Sequence, residues 1–208
     1  MITIRLADAG KRFNREWIFR RLSYVFEQGQ SYAIIGANGS GKSTLLQVIA
    51  GAMNPSEGQC VYSNNDIAID NELIFQQTAI AAPYLELIEE MTAKEFLDFH
   101  QQFKPFQTGF STDSILEAIS MQHAADKQIR YYSSGMKQRI KLAQAIFTDT
   151  PALLLDEPCT NLDQQGYALY HQLIRDYCAN KLIIVCSNDT QEYDFCTHQL
   201  NIMQYKQA

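Results

Sequence analysis

The sequence predicts an α/β fold built on a mainly parallel β-sheet. Two patterns carry the prediction. Short apolar runs read as strands at Ile2–Leu6, Ser31–Ile35, Ala79–Ala82, Ala152–Leu155 and Leu182–Cys186. Helical periodicity lies between several of them, and that alternation is what a parallel sheet with crossover helices requires. The chain has 208 residues, enough for one sizeable domain with a packed core. It contains no internal repeat and no low-complexity tract.

The N-terminal stretch MITIRLADAGKRF begins like a strand and lacks the apolar h-region of a secretory signal. Lys11, Arg12, Arg15, Arg20 and Arg21 cluster at its end and beyond and read as a solvated loop face. The middle of the chain, from Tyr84 to about Tyr131, reads as a helical insertion in the α/β core. Thr92 and Glu95 form a capping-box pair. Phe96, Phe99 and Phe103 follow at helical spacing, Ile115 and Ile119 mark a second helix, and Pro105–Ser111 is the loop between them. A third helix begins near Ser134, with Met136, Ile140, Ala143 and Phe147 on one face.

Composition narrows the function. Net charge is -6 and the isoelectric point about 5.2, the wrong balance for general nucleic-acid binding. No apolar run approaches the roughly 20 residues that span a bilayer. A cytoplasmic protein, or one attached to a membrane only through partners, fits these features. Cys60, Cys159, Cys178, Cys186 and Cys196 form no C-x-x-C pair and are odd in number. That predicts reduced thiols rather than a metal site or disulfide framework.

Residues 36 to 43, GANGSGKS, fit G-x-x-x-x-G-K-[ST] between a predicted strand and an amphipathic helix. Gly36, Gly39 and Gly41 allow the backbone to curl so that the N–H groups of this loop, Ala37, Asn38 and Ser40 included, point inward. Lys42 brings a cation to the β- and γ-phosphates of a nucleoside triphosphate. Ser43 offers a hydroxyl to Mg²⁺, and the helix that continues through Thr44 directs its positive dipole end at the phosphates. Further along, ALLLDEP places Asp156 and Glu157 at the end of a buried strand. Adjacent strand residues point to opposite faces, so the two acids have different tasks. Asp156 is placed to hold Mg²⁺, and Glu157 to polarise the attacking water.

Residues 131 to 145, YYSSGMKQRIKLAQA, carry a resemblance to the ATP-binding cassette (ABC) family. Tyr132-Ser133-Ser134-Gly135-Met136 looks like a variant of its L-S-G-G-Q signature. The motif order also matches: phosphate loop, helical insertion, signature, LLLDEP, then TNLD at Thr160–Asp163. The resemblance covers essentially the whole chain. It implies a P-loop NTPase core with a small N-terminal antiparallel β part, and two such domains packed head to tail around two ATP molecules. Ser133, Ser134 and Gly135 of one copy then contact the nucleotide held by the other, although Ser133 also suits a plain N-cap role. Phe13 matches the aromatic that stacks on adenine, with Trp17 a rival. Asn161, Leu162 and Asp163 match the loop that crosses the dimer interface. The implied protein is the ATPase subunit of a transporter on the inner face of a membrane. Separate membrane subunits dock near the insertion, where PYLELIEEM is either the dock or insertion core. A non-transport ABC-type nucleotide switch with slow or no hydrolysis is the alternative.

Two positions depart from the family pattern. Where the family has a histidine after the last core strand, this chain has Asn188, which can donate to a phosphate oxygen but carries no proton charge. His198 is too far along the chain to take its place. Where the family has a glutamine after the Ala79–Ala82 strand, counting gives Pro83, or Tyr84 if the register slips by one. Gln76 and Gln77 do not fit that spacing.

Overall fold

A computed structural model describes residues 1–206 of the chain. They form two compact units, one of Met1–Ile80, Pro151–Glu157 and the chain from Asn180 onward, the other of Ala81–Thr150 and Pro158–Ala179. In chain order the first unit is built from β1 (Ile2–Phe13), β2 (Glu16–Glu27), β3 (Ser31–Ile35), α1 (Lys42–Ile49), β4 (Glu57–Asn64), β5 (Ile67–Ala68), β6 (Thr78–Ala81, with Ala81 at the boundary), β7 (Ala152–Asp156), β8 (Leu182–Cys186) and β9 (His198–Asn201).

Two sheets result. One has the order β2-β1-β4-β5 with antiparallel pairing throughout; the other has the order β6-β7-β8-β3-β9, and β7, β8, β3 and β9 run parallel. In the antiparallel sheet Ile2, Ile4 and Leu6 are buried while Arg5 is exposed, the alternation expected of a sheet with one wet face. The parallel strands are different: every residue of β7 and β8 is buried. Their near-continuous apolar runs are the pattern of strands buried on both faces.

β3 and β8 have the bounds that the apolar runs predict. β1 continues to Phe13, β6 starts at Thr78 and ends at Ala81, and β7 extends to Asp156. The basic cluster is a correction. Only Arg15 lies in the turn; Lys11 and Arg12 end β1, and Arg20 and Arg21 sit in β2. Arg20 pairs with Glu57 through two hydrogen bonds, at 2.7 and 3.1 Å, and lies 4.4 Å from the Trp17 ring. Arg12, Arg15 and Arg21 are exposed, as a solvated face requires, but apart from Arg15 the cluster stands on strands rather than on a loop, and Lys11 and Arg20 are half-buried.

The second unit contains α2 (Ala93–His100), α3 (Thr112–Ala118), α4 (Ser134–Phe147) and α5 (Gln164–Tyr177), with α4 packed against the other three. The Thr92–Glu95 capping box forms as read: Thr92 Oγ1 accepts from the Glu95 N–H at 3.1 Å and Glu95 Oε2 accepts from the Thr92 N–H at 2.9 Å. Ile115, Ile119, Ile140, Ala143 and Phe147 are fully buried. Phe110, Phe147 and Tyr177 join α4 to α5, with ring centroids 4.8 to 5.2 Å apart. Two expectations fail. Tyr84–Met91 contains no helix, and α2 ends at His100, so Phe103 lies beyond it and Phe99 and Phe103 face solvent. Of the three phenylalanines only Phe96 joins the core: Phe99 lies in α2 but on its exposed side, Phe103 lies past its end, and the two rings meet each other at 5.0 Å. Among the described residues no helix is long and apolar enough to cross a membrane.

His100 supplies a pH prediction. Its ring hydrogen-bonds to Thr148 Oγ1 at 2.9 Å and to Gln144 Nε2 at 3.1 Å, and burial lowers its pKa from 6.5 to about 4, with the charge of Lys104 adding to the effect. A histidine held neutral in the fold takes up its proton more readily unfolded, so stability is complete above pH 6.5 and falls as pH drops towards 4. Urea midpoints measured across that window are expected to fall with pH in the native chain, and less steeply in His100→Gln.

Candidate functional site

The parallel strands bring three chain segments to one edge of the first unit. β3 leads into the Gly36–Ser43 loop, β7 ends at Asp156, and β8 leads to Asn188. The registers Ala33↔Val185 and Leu155↔Val185 put these ends level. Ligands collect at the carboxyl ends of strands in such sheets.

The loop closes on itself. Gly41 sits at the N-cap of α1 in the left-handed region, φ 102°, and a Cβ there would come within 2.2 Å of Ile18 Cγ2. Only glycine satisfies both demands. A Cβ on Gly36 would meet Ser40 Oγ at 2.7 Å. Lys42 is buried, and its ammonium donates to the Gly36 carbonyl at 2.8 Å and the Ala37 carbonyl at 3.2 Å. Ala37, Asn38 and Gly39 are exposed at the crest, while Ser43 and Thr44 are half-buried on the first turn of α1.

The two acids sit in different surroundings, Asp156 at the last position of β7 and Glu157 just past it. Asp156 is buried, its Oδ1 has no hydrogen-bond partner, and its other bond is to Ser43. Burial raises its pKa and the charge of Glu157 adds to this; the Ser43 hydrogen bond and Lys42 oppose it. A buried carboxylate oxygen without a partner, beside a hydroxyl, is a hard-oxygen donor set, and it fits Mg²⁺, which takes few protein ligands and keeps its remaining positions for water and phosphate. Glu157 is half-buried, adopts φ 43°, and its N–H donates to the Cys186 carbonyl at 2.9 Å. A glutamate in the left-handed region costs about 1–3 kcal/mol and persists only where surrounding structure imposes it.

Asn188 joins the loop directly: its Nδ2 donates to Asn38 Oδ1 at 3.1 Å. His198 starts β9, paired with Tyr32 and stacked on its ring at 4.9 Å, whereas the loop leaves from the other end of β3. Gln76 and Gln77 precede β6, so neither stands after it. The two aromatics also separate. Trp17 is half-buried against Arg20 and Arg12, at 4.4 and 5.4 Å, whereas Phe13 is 46% exposed with Lys11 Nζ 5.4 Å from its ring.

Ser133, Ser134 and Gly135 belong to the second unit. Ser133 caps α4, its hydroxyl accepting from the Met136 N–H at 3.2 Å, so the N-cap role is filled. Ser133 and Ser134 are exposed. Together with His123, Arg139, Asn161 and Asp163 they line a cavity of about 380 Å³. Gly135 approaches the 158–163 loop so closely that a Cβ would stand 3.0 Å from the Asn161 carbonyl. The buried Gln138 holds the same loop, donating to the Pro158 carbonyl at 2.7 Å. Pro83 directly follows β6 by two residues and adjoins a second cavity of about 430 Å³ with Lys137 and Lys141. Motif reading finds Lys137, just after the Tyr132–Met136 stretch, but not its bond to Glu89, the bond of Lys141 to Pro83 or the Asn38–Asn188 bond, because each joins residues far apart in sequence.

Comparison with known proteins agrees with this geometry. The family model described as ABC transporter matches residues 19–160, more than half of the chain. The chain is 28% identical over 193 residues to the uncharacterized ABC transporter ATP-binding protein YybJ of Bacillus subtilis, covering 91% of this chain and 87% of that one. It is 26% identical to YcbN of the same organism, spanning 79% of this chain but only 54% of that relative's length. It is 27% identical to a Nod factor export ATP-binding protein I from Rhizobium, across 98% of this chain and 68% of the relative. Two solved structures share the fold. One is a putative ABC transporter ATP-binding protein from Pyrococcus furiosus, with TM-score 0.82 and 17% identity over 99% of this chain and all of that one. The other is a dimeric bacterial ABC transporter cassette, with TM-score 0.81 and 22% identity over 96% and 94%.

Proposed function

This chain belongs to the ABC transporter family, and on that premise we propose that it is the ATP-binding and ATP-hydrolysing subunit of a transporter, driving a separate membrane subunit by ATP-dependent dimerisation. The observation that carries the reading is the edge where the Gly36–Ser43 loop, the unpartnered oxygen of Asp156 and the carboxylate-bearing Glu157 converge on one end of a parallel sheet.

The loop N–H groups and the α1 dipole bind the β- and γ-phosphates. Lys42 has three donors and spends two on loop carbonyls, leaving one for a phosphate oxygen. Ser43 and Asp156 would hold Mg²⁺, which would neutralise charge on the phosphate oxygens. Glu157 accepts hydrogen from the water that attacks the γ-phosphorus, and the bond to the bridging oxygen of ADP breaks. Phe13, 46% exposed and with one flexible lysine 5.4 Å from its ring, is the platform for adenine, since Trp17 is half-buried between two guanidinium groups. Ser133, Ser134 and Gly135 of a second copy, packed head to tail, complete the γ-phosphate site with exposed hydroxyls and the N-terminus of a 14-residue helix.

The dock for the membrane subunit is Pro83–Met91. Tyr84, Leu85 and Ile88 are each more than a third exposed while Leu87 turns inward, which supports a contact surface rather than insertion core. Attachment there puts the chain on the cytoplasmic face of its membrane. The test is Mg-ATP hydrolysis by the purified chain over a range of protein concentrations. Turnover per chain is expected to rise steeply with concentration, as a two-copy site requires; turnover independent of concentration would reject the dimeric motor. A second reading, a switch that binds ATP and hydrolyses it slowly, is favoured by Asn188 and Pro83. It predicts ATP-dependent dimers that outlast any turnover, and a gain of hydrolysis in Asn188→His.

A further inference from the structure

The two lysines on α4 stand one turn apart, at i and i+4, and therefore share one face of the helix. Both reach the segment after β6. Lys141 Nζ donates to the Pro83 carbonyl at 3.0 Å and to the Ala82 carbonyl at 3.5 Å. Lys137 Nζ pairs with Glu89 Oε1 at 2.5 Å. Proline has no side-chain donor or acceptor, so the backbone carbonyls are the handles this loop offers at that point, and a long cationic side chain is suited to hold them. The far end of the segment is tied as well. The Ile129 N–H donates to the Met91 carbonyl, the Arg130 N–H to the Glu89 carbonyl, and Gln128 Nε2 to the Glu90 carbonyl, all at 2.9 Å. Residues 128–130 run into Ser133, and α4 runs out of Ser134. The Pro83–Met91 segment thus grips the chain on both sides of Ser133–Gly135, all within one compact unit.

We infer that Lys141 and Lys137 are positioning residues that couple the Pro83–Met91 segment to the helix opening at Ser134. The inference rests on the proposed roles of Ser133–Gly135 at a nucleotide and of Pro83–Met91 at the membrane subunit. Its physical basis is contiguity. A segment fixed to a helix by three or more bonds moves with it, because packed units rearrange as bodies rather than stretch. The stability contribution is small, because the Lys137–Glu89 pair is half-exposed and solvent screens it. The consequence is read in transmission instead.

Hydrogen exchange at the Pro83–Met91 amides, with and without Mg-ATP, tests it in the full chain carrying Glu157→Gln to hold ATP. ATP is expected to slow exchange there by about tenfold, and by less than about twofold once Lys141→Met is added, with ATP-driven dimerisation retained. Lys141→Arg restores the response. Glu89→Lys weakens it, and Lys137→Glu in the same chain brings it back, a rescue that lost packing would not show. An ATP response undiminished in both Lys141→Met and Glu89→Lys overturns the coupling while leaving the nucleotide reading intact. A Glu157→Gln chain that forms no dimer with ATP overturns the nucleotide reading, and the coupling with it.

Discussion

Glu157→Gln is expected to lower ATP turnover by about 10²–10⁴-fold while ATP still binds, and to leave a long-lived ATP-bound dimer. The substitution is nearly isosteric, so the left-handed backbone at residue 157 and its bond to the Cys186 carbonyl survive. What disappears is an anionic acceptor for the proton of the attacking water. Single-turnover hydrolysis and size-exclusion chromatography with Mg-ATP check the two halves of the result. A turnover unchanged in the variant would remove Glu157 from the chemistry. An Asp156→Asn variant is expected to behave differently, losing Mg²⁺-dependent ATP affinity, because that side chain bonds to Ser43 and keeps one buried oxygen unpaired.

Gly41→Ala is expected to weaken Mg-ATP binding by more than about tenfold, equivalent to about 1.4 kcal/mol or more. Two costs add. Any side chain at φ 102° carries backbone strain of about 1–3 kcal/mol. The new methyl would also come within 2.2 Å of Ile18 Cγ2, so either the loop or β2 must shift. Ile18→Ala in the same chain removes the collision and leaves the strain, so it restores part of the affinity. Gly39→Ala supplies the comparison, since it has positive φ and open space around the added atom. Titration calorimetry on the three variants separates collision from strain. Full affinity in Gly41→Ala would contradict this account of the loop.

The parallel strands were legible because β3, β7 and β8 are buried on both faces and leave continuous apolar runs. The phosphate loop and the acids were legible because they sit next to those runs, in a local pattern of glycines, lysine and carboxylates. The antiparallel strands left weaker traces. β4 buries only Tyr62 of its eight residues, and β2 is broken by the Arg20–Arg21 pair, so neither presents a clean alternation. Tyr84–Met91 read as helix because its apolar spacing resembles one, yet the segment is held by Lys137, Lys141 and residues 128–130 from outside. Such tertiary tethers override local preference. The same holds for Asn188: its place in the motif order was readable, its bond to Asn38 across 150 residues was not.

The chain contains one tryptophan, and that residue lies in the β1–β2 hairpin, paired in register with Arg12 directly beside Phe13. Its indole is clasped by two guanidinium groups, and one of them is fixed by Glu57. Trp17 is therefore a single tryptophan reporter located one residue pair from the proposed adenine platform. Excited at the red edge, where tyrosine does not absorb, the unlabelled protein emits from one place only, so nucleotide arrival can be followed in real time without attaching a dye or altering a side chain.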